Sequence, residues 1–244
     1  MQAHKTPEEY WEDAGRQGYD QAMFGGPHVA SHIQHHCWDS VMEAAKAVGL
    51  NKGSRVLELG CGDGAFACEV LAKHFTSVTG YDLSAAAIER AQGRNVAGTR
   101  FVAADITKLN FDSSERWDGV FLFGIIHHIK PGTPDLIRKI STIADRIVLL
   151  EPNGNHPIRK LLELTPSYKE AGEDSYRWDE IVDIFRVQGG FECQYHRWFN
   201  LFPNKTPDSI FGRLKFLEPL IESNQLLSRI CTAQVASFVR GKKG

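Results

Sequence analysis

No apolar run in this sequence is long. The longest, Gly119 to Ile126, falls far short of the roughly 20 residues of a membrane-spanning helix. Net charge is small as well. Lys and Arg number 28 against 30 Asp and Glu, a balance of -2, so no global field draws the chain to a phosphate backbone and a nucleic-acid partner is not expected. Cysteine is sparse and unpatterned: Cys37, Cys61, Cys68, Cys193 and Cys231 show no metal-ligand spacing, which argues against a Cys-type zinc site and for free thiols in a reducing compartment. Met1 to Tyr10 carries no apolar signal-peptide segment, and with the thiols this makes a cytoplasmic protein the expectation. Internal repeats, low-complexity tracts and Ser/Gly-rich linkers are missing too. What remains is an ordinary globular composition, 42% hydrophobic and 24% charged over 244 residues, enough for one large domain or one domain with additions.

Thr6-Pro7-Glu8-Glu9 combines a cap residue, a first-turn Pro and a Glu three residues after the cap, which predicts a helix carrying Tyr10 and Trp11. A second helix is predicted over 28–48, ended by Gly49. From Ser54 onward short apolar runs alternate with helix-like segments: 55–59 then 65–73, 77–81 then 84–92, 100–103, 117–123 then 134–143, and 146–150. Such alternation predicts parallel strands joined by crossover helices, a doubly wound α/β sheet whose ligands bind beyond the carboxyl ends of the strands. Beyond Glu151, helices are expected at 157–164 and 177–187, and an aromatic-rich strand at 191–202. An amphipathic helical stretch follows over 207–230, with Ile210, Leu214, Leu217 and Ile221 on one stripe and Pro219 interrupting it; a closing strand is expected at 233–239. The division predicted is a helical N-terminal cap over 1–50 and a core over 51–244 that includes a helical insert at 203–230.

The strongest chemical signal is Val56-Leu57-Glu58-Leu59-Gly60-Cys61-Gly62-Asp63-Gly64, a strand running into a glycine-rich turn. Asp82 follows 22 residues after Gly60 at the end of the second apolar run, where a carboxylate can accept from two ribose hydroxyls, and Asp105 ends the third. Gly60-x-Gly62-x-x-Ala65 also satisfies a dinucleotide fingerprint, so spacing alone does not choose the ligand. Charge favours a cation: Glu58 before the turn and Asp63 within it repel a pyrophosphate. S-adenosylmethionine, with a sulfonium, an ammonium and no phosphate, suits such a loop.

These residues, with Gly80-Tyr81-Asp82-Leu83-Ser84, Ala104-Asp105-Ile106 and Trp117-Asp118-Gly119-Val120 leading to Ile125-Ile126-His127-His128-Ile129, resemble a class I S-adenosylmethionine-dependent methyltransferase of the small-molecule type. The resemblance implies a seven-stranded, mainly parallel sheet in the order 3-2-1-4-5-7-6 with the last strand antiparallel, a helical N-terminal extension, and a helical insert between the last two strands. It implies that Gly60, Cys61, Gly62 and Gly64 line the methionine moiety, that Glu58 and Asp63 hold its ammonium end, and that Asp82 binds the ribose. Leu83 and Ile106 would enclose the adenine, Asp105 would accept from its amino group, and Phe123-Gly124 would lie along the methionyl chain. Tyr10, Trp11 and Tyr19 resemble an aromatic N-terminal cover over the cofactor, with plain packing as the other reading. Taken singly, Glu58 also reads as a surface residue, Asp82 as a turn and Asp105 as a loop-forming Asx residue.

Methyl transfer asks chiefly for alignment, plus a base where the acceptor carries a proton. His127 and His128 follow the fourth strand, and His128 is the first candidate base; packing or capping is the alternative for both. His28, His32, His35 and His36 share helical spacing, but the pattern lacks the Glu of a zincin and a Cys at matching spacing. No metal is therefore expected, and acceptor lining or a plain helix face remain open. The acceptor is expected to be a small molecule methylated at O, N or C, and S-adenosylhomocysteine the product. The 207–230 stripe either packs on the sheet or touches a lipid-like acceptor or a membrane surface. An NAD(P)-dependent oxidoreductase and a non-catalytic S-adenosylmethionine-binding protein are the alternatives. The sequence leaves the oligomeric state open.

Overall fold

The computed structural model describes residues 24–112, 114–170 and 172–241, with Thr6, Glu9, Tyr10, Glu12, Asp13 and Arg16 ahead of them. Trp11 and Tyr19 lie outside the described residues. The Thr6 cap forms as expected: Thr6 N–H donates to Glu9 Oε2, and Glu9 N–H to Thr6 Oγ1. Helix α1 (Pro27–Ala47) starts with Pro in its first turn and gives way to Gly49, whose φ of +77° suits glycine.

The apolar runs become β1 (Arg55–Leu59), β2 (Ser77–Asp82), β3 (Thr99–Ala103), β4 (Gly119–Phe123) and β5 (Arg146–Pro152). Between them come α2 (65–74, with a π-helical stretch over Ala67–Leu71), α3 (Ala85–Gly93), capped by the Ser84 hydroxyl, and α4 (Thr133–Ile140). Then follow α5 (Pro157–Leu162), α6 (Pro166–Glu170), α7 (Trp178–Gly189), β6 (Phe191–Phe199) and, after the insert, β7 (Ala233–Arg240). The seven strands form one sheet in the order β3-β2-β1-β4-β5-β7-β6, and β7 runs antiparallel to both its neighbours.

Both faces of the sheet are covered, which is why its strands read as almost continuous apolar runs. Val56, Phe121 and Val148 point into one cluster with α1 and α2, including Val29, Ile33 and Leu71. Leu57, Leu122 and Leu149 point into the other, with Leu136, Ile137, Ile181 and Phe185 from α4 and α7. Helix α1 therefore contributes to the same core as the strands.

Four expectations change. The strand expected to reach Phe202 ends at Phe199, because Asn200 turns the chain with a φ of +64°. The helix expected over 134–143 stops at Ile140, and the one over 157–164 stops at Leu162 with α6 beyond it. The 207–230 stretch is a broken chain of short pieces: α8 (Asp208–Leu214), a 3-10 turn (Lys215–Leu217), α9 (Glu218–Glu222) and another 3-10 turn (Leu227–Ile230). Pro219 begins α9 in its first turn, where its missing N–H costs nothing. The stripe is not buried as a unit: Ile210 and Leu214 are 48% and 41% exposed while Leu217 and Ile221 are partly buried, and the side chain that anchors α8 is Phe211, packed on Phe202 and His32.

Candidate active site

The glycine turn leaves β1 at Gly60, whose φ of +80° and close approach to Ile125 exclude a side chain there. Gly60 and Cys61 N–H both donate to Tyr81 O, and Gly62 N–H donates to Asp82 Oδ2 at 2.8 Å, so the loop is moored to the end of β2. Cys61 turns its side chain into the core, with Sγ where a Cβ on Gly80 would be; burial pushes its thiol up, and only its backbone faces the loop. Glu58 is 2% exposed, not the surface residue of the alternative reading. Its Oε2 has no hydrogen-bond partner, and burial, with the charges of Asp82 and Asp63 nearby, holds its carboxyl well above the usual range. A buried orphan carboxylate beside two more acids has the donor chemistry for a cationic ligand and against a phosphate.

Asp82 is largely buried, and burial raises its carboxyl despite donations from backbone N–H groups. One oxygen accepts from Gly62 N–H and the other from Ser84 N–H. Leu83 N–H is directed at the carboxylate as well, and with about four acceptor sites the group keeps capacity for a ribose hydroxyl. Asp63 is engaged elsewhere: it pairs with Arg94 Nη2 at 3.0 Å and accepts from Ala65 N–H, which leaves Glu58 as the acid without a partner. Asp105 builds its own loop, with Oδ1 taken by Thr107 N–H and hydroxyl and Oδ2 by Lys108, an 84% exposed side chain that a ligand amine can displace. Leu83 is exposed beside this loop, whereas Ile106 is buried in the core cluster beneath it. Phe123 is half-buried, and Gly124 takes a φ of +64° with open space where a side chain would stand.

Beyond β4, His127 is buried and its Nδ1 lies 2.6 Å from Glu151 Oε2 at the end of β5. Glu151 Oε1 accepts from Ile125 and Ile126 N–H, which ties the β4 turn to β5. Burial lowers the His127 imidazole and raises the Glu151 carboxyl, so the pair shares a proton more readily than it separates charge. His127 Nε2 faces Glu173 Oε2 at 3.5 Å, and Arg159 Nη2 donates to that same oxygen. The half-buried His128 ring lies against the His127 ring at a centroid separation of 3.9 Å.

A model of the methyltransferase domain family matches residues 29–209, about three quarters of the chain. The chain belongs to that family. Among solved structures it is similar to an S-adenosylmethionine-dependent methyltransferase from Mesorhizobium loti, at 18% identity and a TM-score of 0.62 over 82% of this chain and 98% of that one. It is similar to the magnesium protoporphyrin IX methyltransferase ChlM from Synechocystis, solved with SAH bound, at 17% identity and TM-score 0.62 over 94% and 98%. It also resembles the 4+2 cyclase SpnF, at 12% identity and TM-score 0.65 over 96% and 97%. These likenesses establish a class I methyltransferase fold. The dehydrogenase alternative falls with the family assignment, in keeping with the charge of the glycine loop.

In this methyltransferase several site residues escape a reading of the sequence. Glu151 closes the fifth apolar run much as Glu58 interrupts the end of the first, a signal that was available; Glu173 in irregular chain and Arg159 on α5 carry none. Glu12 is another: its Oε2 accepts from the Ser84 hydroxyl at 2.6 Å, which places part of the N-terminal segment over the end of β2. Tyr10 lies in the neighbourhood of Tyr168 of α6.

Proposed function

We propose that this chain binds S-adenosylmethionine through Glu58, the 60–64 loop, Asp82, Leu83, Asp105, Ile106, Phe123 and Gly124, and transfers its methyl group to a small-molecule acceptor. The observation that carries the reading is the orphaned, buried Glu58 carboxylate at the mouth of the glycine turn. S-adenosylmethionine would bring a methyl carbon already activated by a sulfonium. The residues of this chain would hold and align it: Glu58 accepts from the ammonium and Asp82 from the ribose hydroxyls. Tyr10 and Tyr19 belong to the segment proposed to cover the bound nucleoside. His128 is the proposed base, taking the proton from an acceptor hydroxyl or amine as the new bond forms. His127 is a positioning residue, held by Glu151 and backing the His128 ring. His128→Ala is expected to lower kcat with the affinity for S-adenosylhomocysteine kept; an unchanged pH-rate profile would remove His128 as the base.

An apolar acceptor is the finer part of this proposal. Ile158 and Leu161 on α5, Leu164 just beyond it, and Phe216, Leu220, Leu226 and Ile230 in the insert are 49% exposed or more. The two segments adjoin, because Asn153 Nδ2 donates to the carbonyls of Arg229 and Cys231. Such a rim suits a lipid-like acceptor or peripheral contact of 207–230 with a membrane surface. No described helix is long and apolar enough to cross a membrane, and five free cysteines accord with the proposed cytoplasmic setting. The test is mass spectrometry of aqueous and lipid extracts incubated with the full chain and deuteromethyl-labelled S-adenosylmethionine. A labelled product is expected, enriched in the lipid extract. Binding without any labelled product would favour the non-catalytic alternative.

A further inference from the structure

The helically spaced histidines of α1 acquire carboxylate partners that no reading of local sequence supplies. His32 and His36 sit one turn apart, as do Glu218 and Glu222 on α9, and the two pairs face each other. His32 Nε2 lies 2.5 Å from Glu218 Oε2, and His36 Nε2 lies 2.8 Å from Glu222 Oε1. Ligand atoms of His36, Glu218 and Glu222 all lie within 4.8 Å of one another. Both glutamates are buried, with 5% and 10% of their side chains exposed. Backbone donors orient them from behind: Leu201 N–H donates to Glu218 Oε1 at 2.8 Å and Asn200 N–H to Glu222 Oε1 at 2.7 Å. The left-handed turn at Asn200 is what aims two successive N–H groups at two successive helical turns of acid.

We propose that His32, His36, Glu218 and Glu222 form a binding site for one divalent transition-metal ion, best fitted by Zn2+, that clamps the insert onto α1. Two imidazoles and two carboxylates are a borderline nitrogen and oxygen set, and the charge of the ion balances the two buried acids. A four-coordinate zinc ion with bonds of about 2.0 to 2.1 Å holds its ligand atoms roughly 3.3 Å apart, within the 4.8 Å spread of His36, Glu218 and Glu222, and His32 joins these three through its contact with Glu218. Helix α1 supplies a rigid base. An open cavity of about 550 Å³ lined by His28, His32, His36, Asp208, Phe211 and Lys215 gives the ion a way in. Arg197, the cation that acts against charge on His36, is itself paired with Glu43. Simple fastening does not require this arrangement, since buried ion pairs stabilise a fold less than apolar packing of the same volume. The other cluster with ligand spacing, His127, His128 and Glu173, is a poorer host because Arg159 already occupies Glu173.

The experiment strips the full chain with a chelator, then titrates it with Co2+ by visible absorption and with Zn2+ by calorimetry and thermal melting. One ion per chain is expected, with the intense visible bands of four-coordinate cobalt and a raised melting temperature under Zn2+. Glu222→Gln and His36→Gln are each expected to weaken binding by at least about 100-fold. His32→Ala, at a half-buried position, does the same if the buried variants fail to fold, and His128→Ala leaves binding intact. No binding at micromolar Zn2+ overturns the proposal. So does binding that survives His32→Ala or depends on His128.

Discussion

Asp82 and Glu58 stand at the ends of neighbouring strands but are held differently by the fold. Asp82 is already fixed by backbone N–H groups of Gly62 and Ser84 and keeps acceptor capacity, so under the proposed ribose assignment its loss removes charged hydrogen bonds to the ligand. Asp82→Ala is expected to weaken S-adenosylhomocysteine binding by about 1 to 3 kcal/mol; an unchanged calorimetric affinity would contradict the ribose assignment. His196 is a different residue-scale case. Its ring stacks on Trp178 at 3.6 Å, its Nε2 has no partner, and burial lowers its pKa to about 4. The unfolded chain takes up this proton near pH 6.5 and the folded chain only near pH 4. Stability should therefore fall as pH drops through that window, by at most about 1.4 kcal/mol per pH unit, and be flat in this respect above it. His127 and Glu151 shift in opposite directions and largely offset each other over the same range. Denaturant melts from pH 7 to 4 test this, with His196→Asn expected to flatten the profile; equal slopes in both proteins would refute it. Residues of the glycine motif were legible because chemistry and spacing coincide within a few positions. Glu173 and Arg159 were not, because Glu173 meets His127 from a distant part of the chain, Arg159 joins them only by pairing with Glu173, and only folding brings the three together.

At the scale of elements, the β4 turn depends on a side chain of β5. Glu151 accepts from two buried N–H groups and meets His127, so Glu151→Ala leaves three polar groups without a partner. A loss of about 2 to 4 kcal/mol is expected, read as a lowered urea midpoint; a midpoint within error of the native protein would show that the turn holds without it. The strands β1 to β5 and β7 were legible because a sheet covered on both faces writes itself as apolar runs. The insert was misread for a physical reason as well. Its apolar residues do recur at helical spacing, but Pro219 starts a helix and Phe211 alone among the large side chains of α8 is buried. Periodicity records where a helix is possible, and burial decides which of its faces is used.

Across the whole molecule the functional groups gather on one edge. The strand order reverses between β1 and β4, and the crevice beyond their carboxyl ends is where a sheet of this kind binds ligands. Because β7 runs antiparallel, Pro152 pairs with Ala233 and Ala233 with Phe199, so Asn200 and its two glutamates share that edge with Glu151. Backbone hydrogen bonds from Asn153 to Thr232 and from Thr232 to Asn200 join the two regions. The ends of the sheet thus carry acids at β1 and β2 and histidines at β4, with the insert adjoining the end of β5. The central property of this edge under the proposed function is an affinity for a positively charged nucleoside. Calorimetric titration of the full chain with S-adenosylhomocysteine and with NAD+, each in two buffers of different ionisation enthalpy, addresses that property directly. We predict that S-adenosylhomocysteine binds one per chain and releases a proton as its ammonium draws the Glu58 carboxyl into its charged form, that Glu58→Gln abolishes the proton release, and that NAD+ gives no heat of binding. Binding of NAD+ in preference to S-adenosylhomocysteine, or proton release that persists in Glu58→Gln, would contradict the account.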